Sequence, residues 1–250
     1  MKLYNYIVNQ WKIGLIEIIL KYKRSLIGPF WITISCGVLI CGLTFINASI
    51  FNFDLSKSAP WVTCGIIIWT FILSIIDDSL ELYKNPLRLN INIKLIDLTI
   101  INLSKNIIIF FHNLIFIVFA IIYFNLPIHN TWYILPFSAL FYIINAICVS
   151  ILFGLLCLRF NDFILIIKNL TFVLFLITPI FWLPEALMSN RIILLEYNIL
   201  YHIIQIARAP LMGEIPSLLT LYVNIVFTVF LIILSIFFYK KYSRKSIYWI

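Results

Sequence analysis

Residues 28–50 read GPFWITISCGVLICGLTFINASI, a stretch without one Asp, Glu, Lys or Arg. A helix that crosses a bilayer needs about 20 consecutive apolar residues. Here the apolar side chains cover every face of a helix instead of one stripe, which is the pattern of a helix solvated by lipid. Outward from this segment, five further runs share the character: 59–76, 106–128, 132–158, 163–184 and 217–239. Only 163–184 carries a formal charge, Lys168 near its start. Strands of a membrane barrel alternate in polarity over about ten residues, and these runs do not. The expected fold class is therefore all-α integral membrane, with six transmembrane helices.

Composition agrees with that reading. The 250 residues are 63% hydrophobic, 17% aromatic and 11% charged, and the mean hydropathy is +1.07. An ordinary soluble domain is about 45–50% apolar and about 25% charged. Such a chain lacks the polar surface to cover a water-exposed globule, so a soluble enzyme, a disordered chain and a disulfide scaffold are excluded. The net charge of +8 belongs with membrane orientation, and nucleic acid is not expected as a partner. Cys36, Cys41, Cys64, Cys148 and Cys157 all lie in apolar runs without a C-x-x-C pair. They read as small buried hydrophobes, and no metal site is expected.

Orientation follows from the cations. Lys2, Lys12, Lys21, Lys23, Arg24, Lys84, Arg88, Lys94, Lys105, Arg159, Lys168, Lys240, Lys241, Arg244 and Lys245 fall on one side of a six-span path. Lys57, Arg191 and Arg208 fall on the other. The positive-inside bias then puts both termini in the cytoplasm of a multi-pass protein. The long basic segment before residue 28 has no small-residue cleavage site, so the first run reads as a retained span.

Three segments are not simple spans. In Leu3–Arg24, Ile7, Trp11, Leu15, Ile18 and Tyr22 recur at helical spacing with polar residues between them, which predicts an amphipathic helix flat on the cytoplasmic face. The inner loop Asp77–Asp97 mixes charges with Leu82, Tyr83, Leu87 and Leu89, and predicts a short docking helix. The outer stretch Glu185–Pro216 holds the short apolar segment 192–206, broken by Glu196, Asn198, His202 and Gln205. It predicts a pair of short re-entrant helices between spans five and six, because irregular backbone survives at membrane depth only when buried in protein or beside water. The expected organisation is one domain: interface helix and following loop at 1–27, a six-span bundle at 28–239 and a cytoplasmic tail at 240–250.

The chemistry that is missing narrows the function. No G-x-x-x-x-G-K-[ST] occurs, and none of the seven glycines precedes a lysine, so the chain has no phosphate loop of its own. Ion-coupled carriers place an ionisable group in mid-membrane, and His112 beside Asn113 is the only such candidate; its plainer role is an interhelical hydrogen bond. The acidic trio Asp77, Asp78 and Glu81 is the one cluster of acids, and it reads as pairing with nearby cations at the inner face. Aromatic residues inside the runs, such as Trp69, Phe141 and Phe172, suit either lipid or a wall along which sugar rings slide.

The most specific feature is Lys21-Tyr22-Lys23-Arg24-Ser25-Leu26-Ile27-Gly28-Pro29-Phe30-Trp31: a basic anchor, a Gly-Pro break and a border Trp. It resembles the basic Leu-Gly-Pro-Trp start of the first span in polysaccharide-export permeases of ATP-binding-cassette transporters, of the O-antigen and teichoic-acid type, with Ile27 where leucine is usual. Leu158-Arg159-Phe160-Asn161-Asp162 looks like that family's turn after the fourth span. Thr178-Pro179-Ile180-Phe181-Trp182 looks like the motif ending its fifth, and Arg208-Ala209-Pro210-Leu211-Met212-Gly213 like its outer motif before the sixth. Where the family usually has Asn-Pro, this chain has Asn198-Ile199.

The resemblance implies a permease domain rather than an enzyme. A second copy would pair with it as a homodimer around a continuous channel. Two separate ATPase subunits would bind ATP and Mg, leaving this chain no cofactor of its own. The substrate would be an undecaprenyl-pyrophosphate-linked polysaccharide leaving across the cytoplasmic (inner) membrane. On this reading Lys21, Lys23, Arg24, Ile27, Gly28, Pro29 and Trp31 form the gate loop and substrate entrance, with Gly28 leaving room for a close approach. Trp11, Glu17, Lys84, Asn85 and Arg88 dock the ATPase. Trp182, Arg208 and Gly213 form an outer gate, and Arg159 with Asp162 the inner turn. The rival readings are an integral-membrane enzyme on lipid-linked sugars, which needs convergent acids or a metal, and an ion-coupled flippase centred near His112.

Overall fold

The computed structural model describes residues 2–21, 23, 25–28, 30–50, 52–84, 94–186 and 193–249. Among them are helices and turns and no strand. The helices are α1 (Lys2–Lys21), α2 (Phe30–Ile50), α3 (Leu55–Leu80), α4 (Leu95–Asn113), α5 (Ile115–Tyr123), α6 (Leu135–Arg159), α7 (Asp162–Ile177), α8 (Ile193–Glu196), α9 (Ile199–Leu211) and α10 (Leu218–Tyr242). Five helical stretches among the described residues are long and apolar enough to cross a membrane: α2, α3, Leu95–Tyr123, Asn130–Arg159 and α10. The protein is an all-α integral membrane protein.

Helix starts follow local chemistry. The Ser217 side chain accepts from the Thr220 N–H at the head of α10, and Asn198 does the same for Tyr201 at the head of α9, so two otherwise orphaned amides are satisfied. Asn198 therefore caps α9, with Ile199 as the first residue of the helix. The Lys94 N–H donates to Asp97 Oδ2 at 2.9 Å, which fixes the start of α4.

α3 is the axis of the bundle. Its residues Val62, Ile66, Ile67, Ile68 and Trp69 are buried with Ile180 and Ile204. Polar pairs tie its last turns to its neighbours. Ser79 donates to Ser150 at 3.0 Å, Asn102 donates to Ser150 at 3.3 Å, and Asn106 donates both to the Asn102 carbonyl and to Asp78 at 2.9 Å. Such hydrogen bonds hold helices together where lipid supplies no hydrophobic drive. Beyond α3, the buried Tyr83 hydroxyl meets Thr99 Oγ1 at 2.8 Å. Its ring lies where a Cβ on Gly154 of α6 would sit, 2.5 Å away.

Contacts sort the bundle into two ends. At one end Tyr6 donates to Asp97, Lys84 to Asn161 at 2.6 Å, and Arg159 lies over the Trp249 ring. At the other Lys57 pairs with Glu185, and Thr131 donates to the Pro210 carbonyl.

Several expected boundaries move. α3 runs past residue 76, so Asp77 and Asp78 are helical and not part of a loop. The third run begins at Leu95, eleven residues before the expected 106, and breaks at Leu114. Its early charges are tolerated because Asp97 meets Tyr6 and Lys105 meets Asp78. The fifth run stops at Ile177. Pro179 has no N–H and forces its predecessor to be extended, and Thr178 has φ −82° and ψ 137°. α7 thus carries the chain from Arg159 back toward Trp61 in only 16 residues. Short helices do lie between α7 and α10, namely α8 and α9. Of the inner loop 77–97, where a short docking helix is expected, residues 85–93 lie outside the described residues.

The two faces of α1 differ in burial. Ile7, Trp11 and Leu15 are exposed, while Gln10, Gly14 and Ile18 are buried. Gly14 decides this: a Cβ there would strike Ser104 Oγ, with Lys105 N 3.1 Å and Ile101 O 3.2 Å away. The Ser104 hydroxyl also donates to the Gln10 carbonyl at 3.4 Å. α1 therefore docks its Gln10–Gly14–Ile18 stripe along the first half of α4 and leaves Ile7, Trp11 and Leu15 outward.

Candidate functional site

At the end of the bundle that carries α1's last turn, a cavity of about 420 Å³ opens between α1, α2, α3 and α4. Its polar wall is Lys21, Asp77, Asp78, Lys105 and Asn106, and its apolar wall includes Ile32, Leu39, Phe71 and Phe110. Lys105 Nζ lies 2.7 Å from Asp78 Oδ2. Asp77 also faces two neighbouring cavities of about 380 and 530 Å³, one with Glu17, Glu81 and Lys84 in its wall and the other with Lys168 and Thr171. The arrangement can hold a polar head against a charged wall and an apolar tail against the helices.

The sequence-derived gate residues meet this site in part. Lys21 is in the cavity wall. Gly28 has φ +64°, and nothing lies within 4 Å of a Cβ placed there. A left-handed turn of this kind favours glycine. Its N–H donates to Ser25 Oγ at 3.2 Å, and its carbonyl accepts from the Trp31 N–H at 3.3 Å, which joins the loop to α2. Ile27 and Trp31 are exposed, as is Lys23. Arg24 and Pro29 lie outside the described residues.

Of the docking set, Trp11 is exposed on α1, while Glu17 is half-buried and lines the acidic cavity. Lys84 donates to Asn161, so it joins the inner loop to the turn that holds Arg159 and Asp162. Asn85 and Arg88 lie outside the described residues. Arg159 is stacked between Phe160 and Trp249, and Asp162 opens α7 from an exposed position. Near α1's other end, burial and the Asp97 carboxylate push the Tyr6 phenol up to about 12.

The outer set forms a second, tighter constellation. Arg208 of α9 is fully buried. Its Nη1 donates to the Pro179 carbonyl at 2.8 Å and its Nη2 to the Ile180 carbonyl at 3.0 Å. The guanidinium lies 4.1 Å from the centre of the Trp61 ring, and its space exists because residue 65 is glycine. Trp61 Nε1 donates to the Trp182 carbonyl at 3.1 Å, and Asn47 donates to the Phe181 carbonyl at 2.6 Å. The non-helical strap Thr178–Leu183 is thus held by donors from α2, α3 and α9. Burial pulls Arg208 down to about 10, so it is cationic at neutral pH. Gly213, with φ +88°, sits against His129 in the turn that closes α9.

Sequence reasoning missed Asn47, Gly65 and Trp61 as partners of the outer motif, and Lys105 and Asn106 as the partners of Asp78. Polar residues inside apolar runs were the available signal. Asp78 does pair with a cation, as expected of the acidic trio. Of the cysteines, Cys41 is exposed and the other four are buried. His112 bonds the Ile108 carbonyl of its own helix at 2.8 Å, not another helix. Among the described residues no group of three or more His, Cys, Asp or Glu is placed to hold a metal. The chain matches no family model and no curated protein.

Proposed function

We propose that this chain is the permease subunit of an ATP-binding-cassette transporter that exports a lipid-linked polysaccharide across the cytoplasmic membrane. The observation that carries this reading is the joint between Arg208 and the Pro179 and Ile180 carbonyls. Two motifs that resemble the permease family, 29 and 28 residues apart at these bonds, are parts of one physical connection. The glycine turn at Gly28 and the Lys84–Asn161 tie place the other two motifs at helix junctions. A second permease copy and two ATPase subunits complete the machine on this reading, and α1 with the inner loop receives their push.

The test is purification of the tagged chain from its native membrane after mild cross-linking. A soluble subunit with a phosphate-binding loop should co-purify, and a non-hydrolysable ATP analogue should stop polymer export in vesicles that contain both. Absence of such a subunit, together with normal surface polymer in cells lacking the chain, overturns the proposal.

Both termini are assigned to the cytoplasm. In a background without native cysteines, Lys57→Cys should react with an impermeant thiol reagent in intact cells. Lys94→Cys and Arg244→Cys should react only after the membrane is opened. Labelling of Arg244→Cys from outside reverses the assignment.

A further inference from the structure

We propose that the cavity behind Lys21 binds a phospholipid whose head group carries a primary ammonium beside its phosphate, of the phosphoethanolamine type. The inference stands apart from the export reading and does not need it. Its volume of about 420 Å³ lies within the range of small-molecule sites, about 300–1,000 Å³. Its walls divide by chemistry: Ile32, Leu39, Phe71 and Phe110 offer an apolar bed for acyl carbons, and Lys21, Asp77, Asp78 and Lys105 offer charge.

The charges select the head. Lys21 and Asp77 share the wall with Lys105, which is bonded to Asp78. A ligand with only negative charge would meet Asp77 and Asp78, and one with only positive charge would meet Lys21 and Lys105. Holding either against its like charge is unfavourable. A head group with both charges satisfies both sets: phosphate toward the lysines, ammonium toward Asp77.

A second observation asks for hydrogen-bond donors. Asn106 and Asn113 line the same cavity, are exposed by 0% and 3%, and each keeps a side-chain oxygen without a partner. The Asn106 amide nitrogen is already surrounded by Asp78, the Asn102 carbonyl and Asn102 Oδ1, so its oxygen is the acceptor left over. A primary ammonium brings three N–H donors, whereas a choline ammonium brings none. The ethanolamine head is therefore preferred over choline by hydrogen bonding and over glycerol by charge.

The experiment uses the full purified chain in detergent, loaded with phosphatidylethanolamine, phosphatidylcholine or phosphatidylglycerol of identical acyl chains and read by native mass spectrometry. Phosphatidylethanolamine should be retained about tenfold or more over the other two, the effect of one hydrogen bond to a charged group. Asp77→Asn, an exposed position that should fold normally, removes that preference. Asn113→Leu, which deletes an unpartnered acceptor, weakens it. Asp162→Asn, away from the cavity, leaves it intact. An excess of soluble phosphoethanolamine should not displace the lipid. Equal retention of the three lipids, an unchanged Asp77→Asn, an equal loss in Asp162→Asn, or displacement by the soluble head group each overturns the proposal.

Discussion

Arg208→Met should remove most of the folded protein. The side chain is fully buried and supplies the hydrogen bonds to the Pro179 and Ile180 carbonyls. Each buried acceptor left bare costs about 1–3 kcal/mol, and loss of the contact with Trp61 adds about 2 kcal/mol. Together these consume a large part of a typical stability of about 5–15 kcal/mol. Arg208→Lys should be intermediate, since one ammonium cannot fork to two carbonyls. Arg159→Met, which loses only stacking on Phe160 and Trp249 at an exposed site, should be mild. The measure is the monodisperse fraction after detergent extraction. A wild-type fraction for Arg208→Met would show that the strap does not need its donor.

Gly14→Val should detach α1 and spare the bundle. A Cβ at this position strikes Ser104 Oγ and presses on the backbone of Lys105 and Ile101. A side-chain rotation relieves only the first contact, so the helices must part, at about 1–3 kcal/mol. The Tyr6–Asp97 and Ser104–Gln10 bonds go with them. Trypsin should then cut after Lys12 and Lys21 while α2 to α10 persist as one protected fragment, and Gly14→Ala should fall between. On the proposed function, export per folded chain drops in the same order. Unchanged protection of Lys12 would mean that Gly14 does not set the docking of α1.

The membrane class was legible because residues 28–50 and their counterparts contain so little charge that no soluble packing satisfies them. The boundaries were less so. Hydropathy stays high through Thr178–Leu183, so the run looked continuous, although Pro179 carried the warning. The start of α4 was hidden for the opposite reason: Asp97 and Lys105 cut the apolar run, and their partners Tyr6 and Asp78 are remote in sequence. Gly14 and Gly65 looked like ordinary helical glycines, since what crowds them comes from other helices. The basic character of Lys21 was evident, but not that it faces Asp77 across a cavity. Such a site arises from four helices, and no local pattern encodes it. Arg208 was singled out by resemblance alone; its partners are carbonyls, which leave no trace in sequence.

The order of synthesis gives the strap Thr178–Leu183 a hazardous interval. Its carbonyls at Pro179 and Ile180 emerge 29 and 28 residues before the guanidinium that will satisfy them. At about 5–20 residues per second the wait is roughly one to six seconds, during which a segment already apolar enough to leave water holds bare acceptors. In every newborn chain the strap is therefore incompletely bonded for that interval, and Arg208 is the residue whose arrival closes it.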